Sequence, residues 1–122
     1  MLPPLPVTTD DVKRRLDAGE RIVFLDARSP DEWDAARRQI RGAVRIRPAE
    51  VENHLRLVPQ GSPIVTYCQC PRDMCGTRAA AALVENGWHD VHPLQGGFEA
   101  AVRTGIPTEP RARATALQHD LA

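Results

Sequence analysis

Two short apolar runs constrain this chain more than anything else in it. Ile22–Leu25 reads IVFL and Ile64–Tyr67 reads IVTY, and both are continuous rather than alternating. Strict alternation marks a strand with one wet face. An unbroken β-branched and aromatic run fits a strand covered on both faces, as in a parallel sheet packed between helices. Ala43–Ile46, interrupted by Arg45, and Val91–Leu94 are further candidate strands. Helix signals fall between them. Thr8 or Thr9 caps a segment from Asp10 to Leu16 that stops near Gly19, and Ser29 precedes Pro30 at the head of PDEWDAARR. Pro48 opens a helix through Val58. The Ala-rich Thr77–Glu85 ends at Asn86-Gly87, and Gly96-Gly97 leads into a helix at Phe98–Arg103. Strands alternating with helices predict an α/β domain, with a mainly parallel sheet of four or five strands flanked by helices on both faces.

At 122 residues the chain holds one domain. Pro3, Pro4 and Pro6 make residues 1–7 an extended arm, 8–107 form the domain, and the polar stretch after Pro107 makes 108–122 a tail. With 42% apolar and 26% charged residues, disorder over most of the chain, collagen-like repeats and coiled coils are excluded. No apolar run nears the ~18 residues of a membrane span, so no membrane partner is expected. MLPPLPVTTDD lacks a basic cluster followed by an apolar stretch. Together with three cysteines, an odd number, this predicts a cytoplasmic protein whose thiols stay reduced. Sixteen basic and sixteen acidic residues cancel, which argues against a nucleic-acid partner.

Ligands of parallel sheets gather at the carboxyl ends of the strands. Two segments leave strands there: Asp26-Ala27-Arg28, and YCQCPRDMCGTR between a buried strand and a helix. All three thiols, Cys68, Cys70 and Cys75, lie in the second segment. A thiol there meets loop N–H groups and the positive end of a helix dipole, both of which favour the nucleophilic thiolate. The same N–H groups bind oxyanions. Arg72 and Arg78 are the candidate cations for a substrate anion. Asp26 and Arg28 are expected to pair with each other or with the cysteine loop and fix its shape.

These residues resemble the single-domain rhodaneses, over about residues 8–107. FLDARSPDEW is similar to that family's first strand and following Asp-x-Arg, and QIRGAVRI to its Ile-x-Gly-Ala turn. PIVTYC resembles the central strand ending in the reactive cysteine, and AAAALVENGWHDVHPLQGGFEA the next helix, strand and Gly-Gly turn. The Cys-x-Cys-Pro start of the loop resembles one subgroup. The resemblance implies a rhodanese-like fold and a sulfurtransferase without cofactor or metal. Its cysteine would take sulfur from a small anionic donor, thiosulfate-like or a mercapto acid, as a persulfide. That sulfur would pass to a thiol, cyanide or protein acceptor. Cys68 follows the strand directly, as the family's nucleophile does. Counted back from Leu83 and Gly87, Cys70 occupies the compact-loop position and is the alternative nucleophile. The active-site loop then comprises Gln69, Cys70, Pro71, Arg72, Asp73, Met74, Cys75, Gly76 and Thr77, with Cys70 and Cys75 as candidate relay or resolving thiols. Met74 and Gly76 stand six places after Cys68 and Cys70, where related phosphatases carry arginine, so phosphate-ester chemistry is disfavoured. A non-catalytic binding module, a redox sensor built on Cys68, Cys70 and Cys75, and a metal site adding His89 or His92 are the competing functions.

Overall fold

The computed structural model describes residues 4–69 and 72–111. Helix α1 (Thr9–Asp17) begins where Thr8 accepts the Asp11 N–H, with Asp10 and Asp11 in its first turn. Strand β1 is Val23–Asp26. Ser29 and Glu32 form a reciprocal capping box at α2 (Pro30–Ala35). Next come β2 (Arg38–Ile40), β3 (Val44–Arg45) and two 3-10 helices at Pro48–Asn53 and Leu55–Leu57. The chain continues through β4 (Ile64–Tyr67), α3 (Met74–Glu85), β5 (Val91–Pro93), α4 (Gly97–Thr104) and β6 (Thr108–Pro110).

The main sheet has four parallel strands in the order β3-β1-β4-β5. Its side chains divide between two cores. Leu25, Ile64 and Val91 face the layer of α3 and the first 3-10 helix, with Val51, Ala79 and Leu83. Phe24, Val65 and Tyr67 face the layer of α1 and α4, with Val12, Leu94 and Ala101. Burial on both faces explains why these strands read as unbroken apolar runs.

Several local expectations change. The helix expected through Arg38 stops at Ala35, because Ala36 is extended and Arg38–Ile40 pairs antiparallel with Thr108–Pro110. Arg38 Nε donates to Thr108 Oγ1 at 2.9 Å and Gln39 Nε2 to Glu109 Oε2 at 2.7 Å, so ordered structure continues past residue 107. In place of one helix from Pro48 to Val58 there are two 3-10 helices, Pro48–Asn53 and Leu55–Leu57, broken at His54. At the other end of the chain, Val7 bridges Leu94 beside the sheet, its N–H donating to the Pro93 carbonyl at 2.9 Å. Residues 112–122 of the expected tail lie outside the described residues.

Candidate active site

Strand register aligns Arg45, Asp26 and Tyr67 across β3, β1 and β4 at the carboxyl edge of the sheet. Residues paired in parallel strands share a face, so these three polar side chains meet in the interior. Asp26 and Arg28 are fully buried and form an ion pair, with Arg28 Nη2 2.6 Å from Asp26 Oδ2 and Arg28 Nε 3.0 Å from Oδ1. The Tyr67 hydroxyl donates to Asp26 Oδ2 at 2.7 Å and accepts the Ile40 N–H at 3.0 Å. Burial and the neighbouring Asp26 carboxylate push the Tyr67 phenol well above its ordinary pKa. Arg45 Nη1 donates to the Arg28 carbonyl at 2.6 Å. Burial lowers the pKa of this guanidinium from its ordinary value, opposed by Asp26.

Arg28 carries this network to the cysteine loop. Its Nη1 donates to Gln69 Oε1 at 3.0 Å, and its guanidinium sits 4.6 Å from the centre of the Phe98 ring. The sequence expectation for Asp26 and Arg28 offered two partners, each other or the loop, and both contacts form.

Cys68 is fully buried at the end of β4, and the Gly76 N–H points at its sulfur over 3.3 Å. Gly76 is the third residue of α3, so the sulfur takes one of the donors that a helix leaves unused at its N-terminus. The helix packs closely on the strand here: a Cβ at 76 would lie 3.4 Å from Tyr67 Cα, at van der Waals contact. Asp73 precedes the helix in the left-handed region, φ 54°. Rather than capping α3, its carboxylate accepts the Gly96 N–H at 2.9 Å and ties the loop to the Gly96-Gly97 turn. That turn touches Cys68 itself: Phe98 N–H donates to the Cys68 carbonyl at 2.9 Å, and a Cβ on Gly97 would stand 2.1 Å from that oxygen.

Met74, Cys75, Gly76 and Thr77, expected in the loop, thus belong to the first turn of α3. Cys75 is half-buried. Cys70 and Pro71 fall outside the described residues. Arg72 is exposed. Arg78 is exposed on α3 and lines a separate cleft with Glu52 and Glu85. A larger cleft of about 540 Å³ opens beside the loop, lined by Gln69, Arg28, Phe98, Ala35, Arg37 and Val102. Sequence reasoning missed Tyr67, Gln69 as the Arg28 acceptor, and Gly97. The strand-end position of Tyr67 and the Gly-Gly pair were the available signals. Among the described residues, no group of three His, Cys, Asp or Glu is placed to hold a metal ion. None of the described helices is long and apolar enough to cross a membrane.

Comparison with known proteins agrees with this fold. The sequence profile of the rhodanese-like domain matches residues 8–104. A probable adenylyltransferase/sulfurtransferase, MoeZ of Mycobacterium tuberculosis, is 31% identical over 96 residues, which is 77% of this chain and 24% of that protein. The chain therefore spans about a quarter of that relative's length. Thiosulfate sulfurtransferase GlpE of Pseudoalteromonas translucida is 31% identical over 81 residues, covering 66% of this chain and 73% of that protein. The solution structure of the rhodanese-like domain from the Anabaena protein Alr3790 superposes with a TM-score of 0.71 at 26% identity, covering 91% of this chain and 81% of that one.

Proposed function

This chain belongs to the rhodanese-like domain family, and from that premise we propose that it is a sulfurtransferase with Cys68 as the nucleophile. One observation carries the proposal: the Cys68 sulfur receives the Gly76 N–H at the N-terminus of α3. That environment favours the thiolate. In the proposed reaction the thiolate attacks the outer sulfur of an anionic donor. With thiosulfate, the S–S bond breaks and sulfite leaves with the bonding pair. Cys68 is left as a persulfide. A nucleophilic acceptor, such as a thiol, cyanide or a protein thiol, then takes the outer sulfur and restores the thiolate. No general base is needed if the thiolate is already formed. The loop N–H groups hold the anionic persulfide, as preorganised donors hold developing charge elsewhere.

The roles of the other loop residues follow from their positions. Arg72, exposed beside the loop, is the proposed electrostatic partner of the donor anion. Arg78 shares its cleft with Glu52 and Glu85, which weakens any attraction there. Asp26, Arg28 and Gln69 position the loop. Cys70 and Cys75 are the proposed relay thiols, and a reducing compartment, the cytoplasm, suits all three. The test is turnover with thiosulfate as donor and cyanide as acceptor. Thiocyanate formation that disappears in Cys68→Ser is expected. A folded wild-type protein that makes none with thiosulfate or with a mercapto acid would favour a binding module instead.

A further inference from the structure

A second group of donors gathers around Trp33, which α2 holds at 1% exposure. Three guanidiniums surround its indole: Arg45 Cζ lies 4.8 Å, Arg111 Cζ 5.1 Å and Arg28 Cζ 5.4 Å from the ring centre. Arg28 is matched by Asp26 and directs its remaining donors at Gln69 and the Arg38 carbonyl. Arg45 differs. It is 3% exposed, and its Nη1 donates to the carbonyls of Arg28 and Asp26 and lies 3.9 Å from Asp26 Oδ1. Its Nε and Nη2 are buried and have no acceptor among the described residues. Those two N–H groups lie side by side on one edge of the guanidinium plane, in the fork that grips two oxygens of one anion.

Two neighbours share the condition. Trp33 Nε1 and Arg111 Nη1 are also buried without an acceptor among the described residues, while Arg111 Nε donates to the Ala36 carbonyl at 2.9 Å. Buried donors are almost always satisfied, so a cluster of unsatisfied ones calls for an explanation. The charge points the same way. Among the described residues, the ion pairs of these three guanidiniums share one carboxylate, Asp26. Buried charge is ordinarily paired.

We propose that the Arg45 fork, the Trp33 indole N–H and Arg111 form a buried subsite for a small oxyanion with two coplanar acceptor oxygens, of the carboxylate class. Arg28 joins this subsite to the cysteine loop, because it stacks near the same indole and holds Gln69. The subsite is independent of the sulfur chemistry and can be tested without it.

Of the two tryptophans, Trp88 lies in the core beneath α3 and is replaced by phenylalanine, which leaves Trp33 as the one reporter. Sodium formate is then exchanged for sodium chloride at constant ionic strength. A saturable change in Trp33 emission is expected. The thermal midpoint is expected to rise by about 10 °C at a hundredfold excess over half-saturation. Arg45→Lys keeps the charge but lacks the fork, and Arg111→Ala removes the second guanidinium. Each is expected to raise the half-saturation point about tenfold or more. A flat response, or curves unchanged in these variants, overturns the proposal. If Arg45→Lys does not fold, Arg111→Ala decides.

Discussion

Replacing Gly97 by alanine tests how tightly the second glycine turn holds Cys68. At φ 60° an alanine is strained by about 1 kcal/mol before any contact is considered. Its Cβ would lie 2.1 Å from the Cys68 carbonyl oxygen and 3.1 Å from the carbonyl carbon. Ordinary contact begins near 3.5 Å, so the two backbones must part by more than about 1 Å. That separation breaks the 2.9 Å bond from Phe98 N–H to Cys68, at about 1 kcal/mol, and the forced repacking adds about 1–3 kcal/mol. The expected total is about 3–5 kcal/mol. Gly42→Ala is the internal control. Gly42 has φ 75° but nothing within 4 Å of an added Cβ, so only the conformational cost of about 1 kcal/mol applies. Urea unfolding of both variants, compared at equal m-values, reads the difference directly. A gap of about 2–4 kcal/mol is expected. Two variants within 1 kcal/mol of each other would refute the claim that steric contact with Cys68 fixes this turn.

Other substitutions probe the network under the loop. Tyr67→Phe removes the donor to Asp26 and orphans the Ile40 N–H, and an unfolding measurement should show a loss of about 2–4 kcal/mol. Tyr67 is the chain's single tyrosine, so tyrosinate absorbance reports it alone. Its folded pKa lies above the unfolded value near 10, so beyond about pH 10 the unfolded state releases a proton that the folded state keeps. Its contribution to stability should then fall by about 1.4 kcal/mol per pH unit, and tyrosinate should appear only as the protein unfolds; tyrosinate in the folded protein near pH 10 would contradict this. Gln69→Leu removes the Arg28 acceptor in the loop and should slow sulfur loading by about tenfold or more in a single-turnover assay. Asp73→Ala loses both the bond to Gly96 and a residue type tolerant of the left-handed region, for about 2 kcal/mol in the same unfolding assay.

The parts legible in the sequence were those with local causes. β1 and β4 announced themselves by apolar composition, and α1 and α2 by Thr8, Ser29 and Pro30 at their starts. Cys68, Asp26 and Arg28 were legible because each stands at or just beyond the end of such a strand. What was not legible depends on distant partners. β2 and β6 are three residues each, polar in part, and pair across about 70 positions of sequence, so neither carries a periodicity of its own. Tyr67 looked like one more apolar strand residue until the register set it beside Asp26. Gly97 looked like part of a turn, and its role comes from the backbone of a residue 29 positions earlier. The first turn of α3 was hidden because nothing local to Asp73 shows that its carboxylate serves Gly96 rather than the helix.

Whether Cys68 carries the transferred sulfur is read by peptide-level mass spectrometry. The protein is incubated with thiosulfate, and the added sulfur is mapped in wild type, Cys68→Ser, Cys70→Ser and Cys75→Ser. One sulfur atom is expected on Cys68, absent in Cys68→Ser and retained in the other two variants. Labelling that survives Cys68→Ser and disappears in Cys70→Ser would contradict it.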